Sequence, residues 1–224
     1  MHTQAIGIPG EHIQLRALSQ EDLPLLLSWE NDPEGWYSSG TINPLSPDFI
    51  QRYITASSRH ILETGSMSLI IEGLKTRSAL GHLVLYDYSP IHRRLGVGIY
   101  IDREARKTGI GSEAIRLALR YAFDKLRCEQ VYAEVLASNE ASQQMLRGIG
   151  FKHTAGTGKT TTTRTSITIR YGTHSHRDPA SKRGDRGAQL RLLRPLIPHH
   201  LGLRLRPTAQ AAGATRGGAS RAHH

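Results

Sequence analysis

One cysteine, Cys128, is all the chain has among 224 residues. No intrachain disulfide can form, which excludes a disulfide-stapled scaffold of the secreted type. Cys128 follows the apolar stretch "AIRLALRYAFDKLR", where a thiol reads as a small, partly buried hydrophobe rather than a nucleophile. Long apolar runs are also missing: no stretch approaches the ~20 residues that cross a bilayer. The opening residues "MHTQAIGIPGEHIQL" lack both the basic and the apolar segment of a signal peptide. A cytoplasmic protein with no membrane contact is the resulting expectation. No metal is expected either. His82 and His92 flank a strand–turn–strand segment without a third ligand at metal spacing, and read as surface or turn histidines.

Aromatic residues are scarce, at 6%, and acids vanish toward the C-terminus. Residues 1–155 hold 16 Lys+Arg and 17 Asp+Glu, a net of −1, whereas 156–224 hold 13 and 2, a net of +11. Tyr171 is the sole aromatic in those last 69 residues. The formal charge of +10 therefore belongs to the tail, and the first 155 residues read as an ordinary near-neutral globular sequence. The length allows one domain plus an appendage, or two small domains.

Within residues 1–155 the patterns alternate between strand and helix. "HIQLRAL" sets Ile13, Leu15 and Ala17 against polar neighbours, a half-buried strand. Ser19 with Asp22 three residues on is a helix-opening pair before "LPLLLSWEND". Ser46-Pro47-Asp48 is a second helix start. "SLIIEG", "ALGHLVLYDY" and "RRLGVGIYID" read as strands. "GIGSEAIRLALRYAFDKL" places apolar residues at 115, 118, 119, 122 and 126, one helical stripe. "QVYAEVLA" is a strand with Val131, Ala133 and Val135 on one face. "NEASQQMLRGIGF" is a helix with Asn139 as N-cap and Gly148 or Gly150 as its stop. The order β-α-α-β-β-β-α-β-α is a mixed α/β layer structure.

Two stretches compete as phosphate sites. "HTAGTGKTTTT" ends like a P-loop at Gly158-Lys159-Thr160, but His153 stands where the first glycine belongs, and β-branched residues follow where a helix should start. "RKTGIG", from Arg106 to Gly111, has a strand before it and an amphipathic helix after it. Its glycines let backbone approach an anion, first-turn N–H groups face that anion, and Arg106, Lys107 and Ser112 add donors.

This R-x-x-G-x-G loop between a strand and a helix resembles the acetyl-CoA loop of the GNAT superfamily of N-acetyltransferases. The resemblance runs from about Ile13 to Phe151. It takes in "QVYAEVLASNEASQQMLRGIGF" and, through "LRALSQEDLPLLLSWENDPE", the branch acting on ribosomal-protein N-termini and polyamines. The fold it implies is α/β: a mixed, mostly antiparallel sheet flanked by helices. The cosubstrate it implies is acetyl-CoA, with an amine as acceptor; a homodimer stays open.

By resemblance, the backbone of Arg106, Lys107, Thr108, Gly109, Ile110 and Gly111, with Ser112, would bind the pyrophosphate. The strand edge at Ile99, Tyr100 and Ile101 would pair with the pantetheine arm, and Asn139 would sit near the cofactor. A free alkylamine with pKa near ~10 is mostly protonated at neutral pH, so a general base helps its attack on the thioester. Glu134 is the first candidate base, followed by Tyr100 and Asp102. The tyrosine that protonates the thiolate in many members is matched here by Leu146, so Tyr132 or water would have to replace it. Trp29, Trp36 and Tyr37, with Glu30, Asp32 and Glu34, stand where the family places acceptor-pocket walls.

The resemblance also implies a further strand pair after Phe151, where this chain has a threonine tract and an arginine-rich tail. Three readings follow: a basic extension binding RNA or the ribosome, a disordered appendage, or a reading frame shifted near residues 154–157. Translation of the gene in its other two frames distinguishes the third. The expected organisation is a 1–155 acetyltransferase domain lacking its last strand pair and a 156–224 basic low-complexity tail, within which "SITIRY" suits one short strand.

Overall fold

The computed structural model describes residues 7–32, 44–153 and 164–170. Among them, eight strands form one sheet: β1 (Gly7–Pro9), β2 (Ile13–Ala17), β3 (Met67–Gly73), β4 (Ala79–Ser89), β5 (Arg94–Ile101), β6 (Gln130–Leu136), β7 (Lys152–His153) and β8 (Arg164–Arg170). Their spatial order is β1-β2-β3-β4-β5-β6-β8-β7. Every neighbouring pair is antiparallel except β5–β6, which is parallel. The helices are α1 (Leu23–Glu30), α2 (Pro47–Ser57), α3 (Ile61–Thr64), α4 (Ile110–Asp124) and α5 (Glu140–Ile149). The α/β class with a mixed, mostly antiparallel sheet is as the sequence reads.

The sheet does not end where the sequence boundary was drawn. β8 pairs with β6 over seven residues, from Gln130 opposite Arg170 to Leu136 opposite Arg164, and β7 pairs with β8. Ile167 and Ile169 are buried in the core. A short strand in "SITIRY" thus replaces the expected missing edge, because alternation alone suffices to cover β6 even in a threonine-rich segment. The β8 strand begins at Arg164, four positions past Thr160, so the first described segment after "GKT" is a strand, where a P-loop continues into a helix. Gly158-Lys159-Thr160 themselves, and the tail from Tyr171 on, lie outside the described residues.

Capping chemistry sets the helix ends. Ser46 accepts from Phe49 N and Pro47 opens α2; Asn139 caps α5, which Gly150 stops with φ 113°. Ser19 N donates to Asp22 at 2.9 Å, but the pair opens a single 3-10 turn, Gln20–Asp22, from which α1 continues. Arg16 then binds Asp22 and Glu72, each at 2.7 Å, fixing that turn to β2 and β3. Burial alone would raise the Asp22 carboxyl; the hydrogen bonds from Arg16 and Ser19 outweigh it and hold the group below its ordinary range.

Period-two alternation divides the core into two layers. Leu83, Leu85, Val97, Ile99, Ile101, Val131, Ala133 and Val135 face α4 and α5. Ile70 and Tyr100 face α1 and α2, against Leu26, Trp29, Ile50, Tyr53 and Ile54. Fully burying each such large side chain stabilises by about 1.5–3 kcal/mol. Residues 96, 98, 100, 132 and 134 share the second face with α1 and α2.

Candidate active site

β5 and β6 run side by side for three residue pairs only: Arg94 with Gln130, Leu95 with Val131, and Gly96 with Tyr132. Beyond them β5 stays bonded to β4 as far as Ile101, and β6 stays bonded to β8 as far as Leu136. The two strands part, opening a wedge whose walls are the main-chain edges of 97–101 and 133–136. N–H and C=O groups along such an edge can be satisfied by an extended ligand lying as a further strand would. Ile99, Tyr100 and Ile101 stand on this edge. The Ile101 carbonyl already accepts from Arg106 Nε at 3.0 Å, so a ligand meets the edge before it.

β5 leads through a 3-10 turn, Arg103–Ala105, to the N-terminus of α4. Lys107 (φ 67°) and Gly109 (φ 86°) take left-handed backbone, and Thr108 Oγ1 closes the turn by donating to Ala105 O at 2.6 Å. No described heavy atom lies within 4 Å of where a Cβ on Gly109 would stand. The α4 ladder starts with Glu113 N to Gly109 O at 3.1 Å, so the N–H groups of Ile110, Gly111 and Ser112 precede it and face outward. Arg106 lays its guanidinium over the Tyr100 ring, 5.8 Å from the centroid, and its Nη2 is buried without a hydrogen-bond partner among the described residues. Outward N–H groups, an open glycine and a waiting guanidinium suit a pyrophosphate-bearing ligand.

Glu113 would repel an anion there, but it is turned away. Its Oε1 accepts from the N–H groups of Glu11 at 2.7 Å and His12 at 2.9 Å. Burial works to raise its pKa, yet these bonds outweigh burial and keep the carboxylate ionised below its usual range. Its charge pins the β1–β2 turn to α4.

On the second face of the sheet, Trp29 packs against Tyr100 with centroids 5.4 Å apart and ring planes tilted by 42°, and donates from Nε1 to Asp102 Oδ2 at 2.9 Å. Asp102 Oδ1 accepts from Glu104 N at 3.1 Å, so both its oxygens hold the end of β5. Tyr100 is buried between Trp29 and Arg106. Glu134 is half-buried on the wedge wall of β6, on the face it shares with Tyr132. Asn139 Oδ1 accepts from Ser142 N at 3.1 Å, just past the mouth of the wedge. The structure thus brings the cradle and the Ile99–Ile101 edge together, with Glu134 across the opening. Trp36, Tyr37 and Glu34 lie outside the described residues.

The burial of three polar groups escaped sequence reasoning. His82 is not a surface histidine: it is fully buried in β4, both ring nitrogens lack partners among the described residues, and burial drives its pKa down to about 3. Glu30 is buried at the end of α1, and burial pushes its carboxyl up to about 8. Ser142 is fully buried in the first turn of α5, one helical turn before Leu146, with its Oγ lacking a partner among the described residues. The i, i+4 spacing to Leu146 was the signal available for it. Tyr132, by contrast, cannot stand in for a group at 146. Leu146 packs in the α4–α5 core, while Tyr132 points to the other face and donates its hydroxyl proton to Asp87 Oδ2 at 2.8 Å.

Among the described residues, no three or more His, Cys, Asp or Glu are grouped to hold a metal ion, and no helix is long and apolar enough to cross a membrane. A sheet split between parallel strands, with an anion cradle at the following helix, is the framework of a CoA-dependent acyltransferase.

The chain belongs to the acetyltransferase (GNAT) family: residues 12–152 match that domain's model. It is similar to YdaF of Bacillus subtilis, provisionally named a ribosomal N-acetyltransferase, at 28% identity over 63% of this chain and 79% of that protein. The spermidine N(1)-acetyltransferase of Escherichia coli is 24% identical over 64% of this chain and 75% of its own. YoaA of Bacillus subtilis, an uncharacterized N-acetyltransferase, is 32% identical over 82 residues, and the match spans only 46% of its length. Among solved structures, spermidine N-acetyltransferase from Vibrio cholerae, in complex with CoA and spermine, superposes with a TM-score of 0.62. At 20% identity, covering 72% of this chain and 96% of that one, it attests the fold. No comparison supports the RNA- or ribosome-binding reading of the tail.

Proposed function

We propose that this chain acetylates a primary amine by direct attack of the amine on acetyl-CoA, using a catalytic domain that runs to Arg170. The observation that carries the reading is the parting of β5 from β6 next to the glycine-bearing N-terminus of α4. The backbone of Arg106, Lys107, Thr108, Gly109, Ile110 and Gly111, with Ser112, would hold the pyrophosphate. The edge at Ile99, Tyr100 and Ile101 would take the pantetheine arm, and Asn139 would face it from β6's end. Acetyl-CoA supplies the activated acyl group.

The residues of this chain do the rest. Glu134 receives the amine's proton, directly or through water, from a position on the wedge wall. Backbone N–H groups along the parted strands favour the developing oxyanion. Ser142, whose buried hydroxyl lacks a partner among the described residues, would relay a proton from water to the leaving thiolate in place of a tyrosine at 146. Asp102 and Tyr100 act as positioning residues, because their polar atoms and ring are engaged by Trp29, Glu104 and Arg106. The names of the relatives, one acting on spermidine and one on ribosomal targets, support an amine acceptor.

The test is thiol release from acetyl-CoA in the presence of small amines, for the wild type and Glu134→Gln. The variant is expected to keep its affinity for acetyl-CoA and lose about 10²–10⁴-fold in kcat at neutral pH, the usual worth of a general base. An unchanged kcat would remove Glu134 from the mechanism.

A further inference from the structure

The stretch "IPGEHI" turns the chain from β1 into β2, and the turn closes around a side chain of α4. Gly10 N donates to Ile13 O at 2.8 Å. Against this turn sits the Glu113 carboxylate. Its Oε1 accepts from Glu11 N at 2.7 Å, His12 N at 2.9 Å and Ile13 N at 3.4 Å, and its Oε2 lies 3.2 Å from His12 Nδ1. Gly10 is what lets the two come this close. A Cβ there would lie 2.4 Å from Glu113 Oε1, 2.9 Å from the Ile13 carbonyl oxygen and 2.9 Å from Leu117 Cδ1. About two helical turns beyond Glu113, Arg120 Nη2 donates to Pro9 O at 2.7 Å. Residues 113, 117 and 120 share one side of α4, so the turn is strapped along that side.

Glu113 belongs to the first turn of α4, and the helical ladder begins only with its own N–H on Gly109 O. The N–H groups of Ile110, Gly111 and Ser112, just ahead of it, have no partner within the helix. A first-turn carboxylate is itself a ligand for such groups. Short of another partner it folds back on them, as the acid of a capping box does, and occupies the positive end of the helix dipole. A carboxylate there would compete with a pyrophosphate for the same donors and repel its charge at close range. The β1–β2 turn removes that competition. Charge-assisted bonds from three of its backbone N–H groups satisfy the carboxylate outside the helix.

We propose that the β1–β2 turn serves the cofactor site at one remove: by holding the Glu113 carboxylate it keeps the N-terminal donors of α4 open to a pyrophosphate. Gly10 and Glu113 are then positioning residues for acetyl-CoA binding. The proposal rests on the acetyl-CoA reading of the preceding section and names a control on that same site. It has a reciprocal consequence. Release of the turn frees the carboxylate and weakens acetyl-CoA binding, so bound acetyl-CoA strengthens the hold of the turn on α4 by the same factor. Strand β1 is separated from β5 by β2, β3 and β4 in the sheet, yet it is linked to cofactor occupancy through this one side chain.

The test compares kcat/KM for acetyl-CoA and for S-acetylpantetheine, which presents the same thioester and lacks the pyrophosphate, with one amine held fixed. The proteins are the wild type, Gly10→Ala, Glu113→Asp and the double variant Gly10→Ala/Glu113→Gln. Both single variants keep the charge and break its hold, the first by displacing the turn and the second by shortening the side chain. Each is expected to lower kcat/KM for acetyl-CoA about tenfold, through KM rather than kcat, as an added like charge beside the ligand would. Their kcat/KM for S-acetylpantetheine is expected to stay at the wild-type value. Removing the charge in the double variant is expected to restore KM for acetyl-CoA. Should Gly10→Ala fail to fold, Glu113→Asp set against Glu113→Gln carries the same comparison. Equal losses on both donors, or no recovery when the charge is removed, give the turn a purely structural role and overturn the proposal while leaving acetyl transfer intact. A folded wild type that binds no acetyl-CoA overturns the acetyltransferase reading, and this proposal with it.

Discussion

Glu30 shows how far a side chain's chemistry can depart from its place in the sequence. In the sequence Glu30 is one of three neighbouring acids matched to an acceptor pocket, yet it closes the buried face of α1, and burial raises its carboxyl from 4.5 to about 8. A group that binds its proton more tightly when folded stabilises the fold fully below its ordinary value. That stabilisation is lost as pH rises toward the folded value. The fold is therefore expected to lose stability between about pH 4.5 and 8 on this account, and Glu30→Gln to flatten that slope. Denaturant midpoints measured across that range check it; an unchanged slope in the variant would show that Glu30 is not held neutral. Burial of this kind follows from α1 and α2 closing over Ile70 and Tyr100, which no local pattern announces. The Asn139 cap and the glycine-bearing start of α4, by contrast, were legible because capping and backbone freedom depend on residue type at fixed local spacing.

At the scale of elements, the sequence made most of the structure readable. Strands at 13–17, 94–101 and 130–136 and the helix at 110–124 follow the two periodicities. Three features escaped it because they depend on pairing between distant segments. One is the parting of β5 from β6 after a single short run of pairs, which no strand shows by itself. Another is the bulge that turns Asp87 toward Tyr132. The last is the pairing of β8: "SITIRY" reads as a short strand, but that it completes the sheet beside β6 depends on the edge β6 offers. The cradle yields its own prediction. Gly109→Ala places a side chain at φ 86°, where it meets no described atom, so its cost to stability is the backbone strain alone, about 1–2 kcal/mol. Its effect on acetyl-CoA affinity is expected to exceed that on stability, because the new methyl group stands where a phosphate would approach. Calorimetric titration alongside a denaturant curve separates the two; loss of stability with unaltered affinity would move the pyrophosphate elsewhere.

Across the whole molecule, the parts agree on one task. The layer under α4 and α5 is apolar and anchors the cradle, whereas the layer facing α1 and α2 concentrates the polar groups: Glu30, His82, Tyr100, Tyr132 and Glu134. The excess positive charge falls almost wholly on residues beyond 155, so the catalytic reading does not draw on it. The central claim is that the helix N-terminus at Arg106 to Gly111 and the parted strands together bind acetyl-CoA. Thermal unfolding of the full chain with and without acetyl-CoA tests it most directly. At a ligand concentration 100 times its dissociation constant, the folded state should gain about 2.7 kcal/mol, seen as a rise in Tm that grows with the logarithm of ligand concentration. A cooperatively folded sample whose Tm does not move at any acetyl-CoA concentration would contradict the account.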